Sequence, residues 1–157
     1  MKKEGRDLSV IVDGHDVTAF LRSPRISMIA SRISAYPFVR RELLPLQRHV
    51  AEEGGVVAEG RDMGTVVFPA ADVKFFLDAS VEERARRRHH ELIAKGFDVD
   101  YATVKKEIAL RDAQDQQRNI APLKPAQDAI IIHSTDKGVD EVVALMMDRV
   151  RSKMTSH

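Results

Sequence analysis

An α/β fold built on a parallel sheet is the class this sequence predicts, and three observations carry it. The runs "VVAE", "DVKFFLD" and "DAIIIHS" are short and continuously apolar, as strands covered on both faces are. Two stretches of helical periodicity lie between the second and third runs, and another follows the third. Strand, helix and strand in that order favour right-handed crossovers joining parallel neighbours.

Each element has a local reason. "LSVIVDGHDVT" reads as a hairpin, with a β-branched run, an Asp13-Gly14 turn and a short return strand. Ser23 ahead of Pro24 is an N-cap followed by Pro at the first helical position, opening a helix to about Ala35. Pro37 opens a second, where Val39, Leu43, Leu46 and Val50 recur along one face until Gly54-Gly55 stops it. The hairpin and these two helices form a separate lobe. After "VVAE" the chain meets "EGRD", residues of little packing value, before the apolar pattern resumes as Thr65-Val66-Val67-Phe68. Ser80 and Glu83 have the capping-box spacing, and Lys95-Gly96 closes the helix they open. A further helix starts at Tyr101, and the last runs from about Gly138 to Lys153.

Composition narrows the function classes. The 157 residues are 43% hydrophobic and 31% charged with a formal net charge of +1, ordinary for one globular domain. So even a balance gives no general case for nucleic acid or membrane binding. "RARRRHH" is basic but lacks the interleaved aromatics of a nucleic-acid surface. No apolar run approaches the roughly 18 residues of a membrane span, and "MKKEGRDLSV" lacks the apolar stretch of a signal peptide. The absence of Cys excludes disulfides, thiolate nucleophiles and Cys-ligated zinc, and the six His never take a ligand spacing. A cytoplasmic protein is expected.

Ligands of open α/β sheets bind beyond the carboxyl ends of strands. The three runs end in Glu59-Gly60-Arg61-Asp62, Asp78-Ala79-Ser80 and His133-Ser134-Thr135. Strand ends are loops and loops are polar, which accounts for Ser134 and Thr135 but poorly for Glu59 to Asp62. There Gly60 permits a turn or close approach, Arg61 offers a planar fork suited to phosphate, and Glu59 is placed to hold a magnesium ion through water. Arg84 and Arg88 share a face of the helix opened by Ser80. Such charge is usually a solvated face, yet this helix starts beside the expected phosphate site. Tyr101, Val104 and Ile108 form an apolar stripe that continues as Arg111, Asp115 and Arg118. Either the helix end frays into solvent, or a lid lowers arginines onto phosphates and offers Asp115 to ribose hydroxyls, since ionised groups on an inward face need partners or an anion.

"IASRISAYPFVRREL", "EGRDMGTVVFPAADVKFFLDASVEERARRR", "KGFDVDY" and "RDAQDQQRNIAPLKPAQDAIIIHST" together resemble the bacterial cytidylate kinases, over about Leu8 to Met147. The resemblance implies a P-loop-kinase-like parallel core, an inserted monophosphate-binding lobe (1–53), core segments at 55–95 and 123–154, and a helical lid at 96–122. It implies CMP or dCMP and ATP as substrates, Mg2+ as cofactor, and a place in pyrimidine nucleotide metabolism. Ser31 and Arg40 then match contacts to the cytosine ring, and Asp62 a pyrimidine contact. Arg61 matches the monophosphate contact, Arg111 and Arg118 the lid arginines that share the catalytic work with it, and Asp115 the ribose contact. Arg84 and Arg88 fall on the ATP-phosphate side, and Glu59 at the metal.

Two departures are visible. Gln114 and Gln116 stand where many relatives carry positive side chains. None of the eight Gly is followed by Lys, so the G-x-x-x-x-G-K-[ST] phosphate cradle of the family is absent from these residues. The expectation is a kinase core incomplete in its first strand and P-loop. It would be active only with that segment supplied by a longer product or another chain, or else be a non-catalytic CMP-binding remnant. Because the family's P-loop strand lies between those matching "VVAE" and "DVKFFLD", poor folding of the isolated chain is also expected.

Overall fold

The structure, a computed structural model, describes residues 2–4, 7–21 and 23–155. The chain divides into two compact units, Met1–Leu43 and Leu44–His157.

In the first unit, β1 (Lys2–Glu4) pairs antiparallel with β2 (Asp7–Ser9). β3 (Ile11–Val12) and β4 (His15–Asp16) form the expected hairpin. Its turn residues Asp13 and Gly14 both have positive φ, 49° and 82°, the backbone that a tight two-residue hairpin turn demands. A short helix, α1 (Thr18–Leu21), follows, started by Asp16 Oδ1 accepting the Thr18 N–H at 2.9 Å. α2 (Pro24–Ile33) is capped by Ser23, whose Oγ accepts the Ile26 N–H at 3.3 Å. α3 (Pro37–His49) crosses from the first unit into the second. Its apolar stripe stays largely in solvent, with Leu43, Leu46 and Val50 all exposed. Periodicity marks the face that could be covered; cover has to come from elsewhere in the fold.

The second unit holds the α/β part. β5 (Phe75–Asp78) and β6 (Ile130–His133) pair in parallel, with Phe76 opposite Ile131. The crossover between them carries α4 (Val81–Ala94) and α5 (Tyr101–Gln116), which pack on each other, and α6 (Val139–Met154) follows β6. Among the described residues, Val67, Ala85, Leu92, Val104 and Ile132 are the buried apolar ones. α4 begins at Ser80, whose Oγ accepts the Glu83 N–H at 3.2 Å, and ends at Lys95 before Gly96 at φ 80°. Only half of the expected capping box forms. The Ser80 N–H donates to Thr135 Oγ1 at 3.0 Å, and the Glu83 carboxylate accepts from Arg86 and Arg87 instead.

Three expectations are corrected. Val56–Glu59 is not a strand: residues 55–59 have no regular structure and Val57 is 100% exposed. An apolar run has strand propensity, but a strand exists only when a neighbouring edge accepts its backbone groups, and no described strand does so here. The strands are not covered on both faces either, since Leu77 and Ile131 are both exposed; a two-stranded sheet is too narrow to bury both faces. Thr65-Val66-Val67-Phe68 does not resume extended structure. Met63–Val67 is one turn of π-helix, closed by the Phe68 N–H on the Met63 carbonyl at 2.7 Å.

Candidate functional site

The Glu59–Asp62 loop is held by the π-turn that follows it. The Asp62 carbonyl accepts the N–H groups of Thr65, Val66 and Val67 at 3.3, 2.9 and 3.2 Å, and the Asp62 side chain is buried. Gly60 serves close approach: a Cβ there would lie 2.6 Å from Met63 Cε and 2.9 Å from Met63 Cγ. Arg48, at the end of α3, donates from Nε to the Val67 carbonyl (3.0 Å) and from Nη2 to the Val66 carbonyl (2.8 Å). Sequence reasoning missed Arg48, because nothing near it in the chain signals a partner 18 residues on.

The stripe on α5 runs inward. Val104 is buried, and three turns later Asp115 is 0% exposed. Three guanidinium groups surround its carboxylate. Arg118 Nη2 lies 2.5 Å from Oδ1, while Arg61 Nε and Arg111 Nε lie 3.2 and 3.8 Å from Oδ2. Arg118 reaches back from beyond the helix end, where the Leu123 N–H donates to the Asp115 carbonyl at 2.8 Å. Arg111 is held below the usual arginine range, first by its own burial and then by the neighbouring Arg61 charge. Its Nε is buried without a hydrogen-bond partner. Three cations on one carboxylate, with a buried donor unmet, leave local positive charge suited to a multiply charged anion.

The structure thus brings together Arg61, Arg111, Asp115 and Arg118, with Asp62 next to Arg61 in the chain. Arg84 Nη1 pairs with Asp112 at 2.6 Å and its Nε donates to the Ala79 carbonyl at 3.0 Å, tying α4 to the residue beside Arg111. Asp112 was not singled out from sequence, although the "RD" dipeptide at Arg111 offered the signal. Arg88 pairs with Glu91 at 2.7 Å on its own helix. At the strand ends, His133 Nδ1 and Asp78 Oδ2 are 3.1 Å apart, and Arg87 donates to Ser134 Oγ at 3.3 Å. Glu59 is exposed, and the described residues contain no group of three or more His, Asp or Glu able to hold a metal. An open depression of about 380 Å³, lined by Gly64, Thr65 and residues 124–128, includes none of the expected site residues. In the first unit, Ser31 is buried on α2 and its carbonyl accepts the Ser34 hydroxyl at 2.9 Å. Arg40 Nη1 donates to the Ser34 carbonyl at 3.3 Å, so both expected base contacts meet at Ser34.

A family model described as cytidylate kinase matches residues 1–152. The chain is 47% identical over 144 residues to a protein named cytidylate kinase from Carboxydothermus hydrogenoformans, covering 92% of this chain and 65% of that one. It is 48% identical over 153 residues to the cytidylate kinase of Syntrophotalea carbinolica, covering 98% and 65%. With that of Vibrio cholerae it is 50% identical over 151 residues, covering 96% and 67%. The chain thus spans about two thirds of the length of the curated relatives it matches.

Proposed function

The chain belongs to the cytidylate kinase family, and on that premise we propose that it forms the acceptor and lid side of an enzyme transferring the ATP γ-phosphoryl group to CMP or dCMP. The observation that supports this most is the convergence of Arg61, Arg111 and Arg118 on one buried carboxylate. In phosphoryl transfer the protein mainly positions groups and neutralises charge, and three forked cations around one anionic locus do both. In this reading the acceptor phosphate takes over the arginines that Asp115 now holds. Asp115 is thereby released to accept hydrogen bonds from ribose hydroxyls. Asp62, Ser31 and Arg40 are assigned to cytosine, Arg84 and Arg88 to the ATP side, and residues 96–122 to a lid.

Family chemistry uses Mg2+ with ATP, but Glu59 alone does not make a metal site. No step is therefore assigned to a metal held by these residues. The described residues form no helix long and apolar enough to cross a membrane.

Titration calorimetry with CMP, dCMP, AMP and GMP tests the assignment. Polar groups built for cytosine edges are left unpaired by other bases, so CMP and dCMP should bind more tightly. Equal affinity for all four would sink it. The alternative reading is a CMP-binding module without catalysis. ATP-dependent CMP phosphorylation, followed with and without an added strand–P-loop–helix fragment, separates the two. Turnover only with the fragment supports the kinase; none in either case supports the module.

A further inference from the structure

We propose that Arg48 is a positioning residue for base selectivity, acting through the π-turn on Asp62 and Arg61. The inference rests on the CMP-binding reading above. A π-turn leaves carbonyls at its carboxyl end without intrahelical partners, and here the turn is part-buried, closing on Val67 at 1% exposure. Arg48 meets that need with two N–H groups of one planar guanidinium, to the Val67 carbonyl at 3.0 Å and the Val66 carbonyl at 2.8 Å. Two parallel bonds from a rigid fork fix the orientation of successive peptide planes, which a single bond from a flexible amine cannot.

The N–H groups of those same two residues, Val66 and Val67, donate to the Asp62 carbonyl at 2.9 and 3.2 Å. Arg48 therefore grips, through the Val66 carbonyl, the far side of the Val66–Val67 peptide unit whose N–H holds Asp62, and through the Val67 carbonyl the unit that follows it. Upstream of that carbonyl, Arg61 extends to Asp115 at 3.2 Å. Among the described residues Arg48 takes part in no ion pair, so its fork is spent wholly on the turn. The side chain sits on an exposed helix end, where substitution removes the grip and leaves the core untouched.

The test uses Arg48→Ala and Arg48→Lys in the full chain, with CMP and UMP affinities from calorimetry and thermal midpoints from circular dichroism. Arg48→Ala should weaken CMP by about tenfold, the equivalent of one lost hydrogen bond, and shrink the preference for CMP over UMP. Arg48→Lys, which keeps the charge and loses the fork, should also lose preference. Millimolar guanidinium should restore part of it to Arg48→Ala. A merely structural role would lower the thermal midpoint and leave the CMP-to-UMP ratio unchanged; that result overturns the proposal. If Arg48→Ala does not fold, Arg48→Lys decides by the same ratio. If the unsubstituted chain fails to bind CMP, the reading beneath falls and this inference with it. If that chain binds but both variants keep its affinity and ratio, the inference alone fails.

Discussion

Replacing Asp115 with Ala should destabilise the chain by about 4 kcal/mol, because it strips the counter-charge from a nearly buried guanidinium. Arg118 carries most of the effect. Its side chain is 9% exposed and lies 2.5 Å from Oδ1, so it cannot turn to water without breaking the helix end it anchors. Removing one partner of such a pair typically costs about 3–5 kcal/mol. Arg61 and Arg111 are 40% and 33% exposed, and solvent screening limits each of their pairs to about 0–1 kcal/mol. For a chain of this size, 4 kcal/mol corresponds to a fall of roughly 8–16 °C in thermal midpoint. The assay is circular dichroism melting at neutral pH, repeated with inorganic phosphate. Phosphate should recover more stability in Asp115→Ala than in the unsubstituted chain, since an anion can replace the lost carboxylate among the arginines. A fall under about 3 °C would show that the arginines relax freely into solvent, and the electrostatic account of the cluster would be refuted.

Three further outcomes follow from the same structure. Arg118→Ala should weaken CMP and dCMP alike, by about 1.5–3 kcal/mol for a charged hydrogen bond, whereas Asp115→Ala should weaken CMP more than dCMP; an unchanged CMP-to-dCMP ratio in calorimetry would exclude the ribose role. The Glu83 carboxyl is held at about 2, below its ordinary 4.5, by its hydrogen bond from Arg86 and a further one from Arg87. A depressed carboxyl stabilises the fold above the unfolded value and loses that contribution as pH falls through the folded one. Glu83→Gln should therefore be less stable than the unsubstituted chain near pH 6, by a margin that shrinks steadily as pH falls from about 5 towards 2, and a pH-independent difference in melting would contradict this. Val57 is 100% exposed, so Val57→Lys should leave stability within about 0.5 kcal/mol and raise solubility; a marked loss of thermal midpoint would mean that the segment is packed in solution.

Much of this protein follows from chemistry acting within a few residues. The Asp13-Gly14 turn needs left-handed backbone, Ser23 and Ser80 cap the helices they precede, and Gly96 closes one. The Arg111–Asp115–Arg118 stripe is likewise a matter of helical spacing, which is why the cluster could be anticipated before any contact was known. Resemblance of whole segments supplied the family. Tertiary structure decided the rest. Val56–Glu59 has the composition of a strand but no edge to join among the described residues, so its backbone groups stay outside their ladders. Glu83 had a capping-box spacing, yet its carboxylate found two arginines while Thr135 took the Ser80 N–H. Arg84 met Asp112, and Arg48 met two carbonyls of a π-turn that no periodicity announces. Periodicity and caps are read along one element, where geometry is fixed by a single helix or turn. The partner of a long charged side chain depends on which elements pack beside it, and that is set only when the chain has folded.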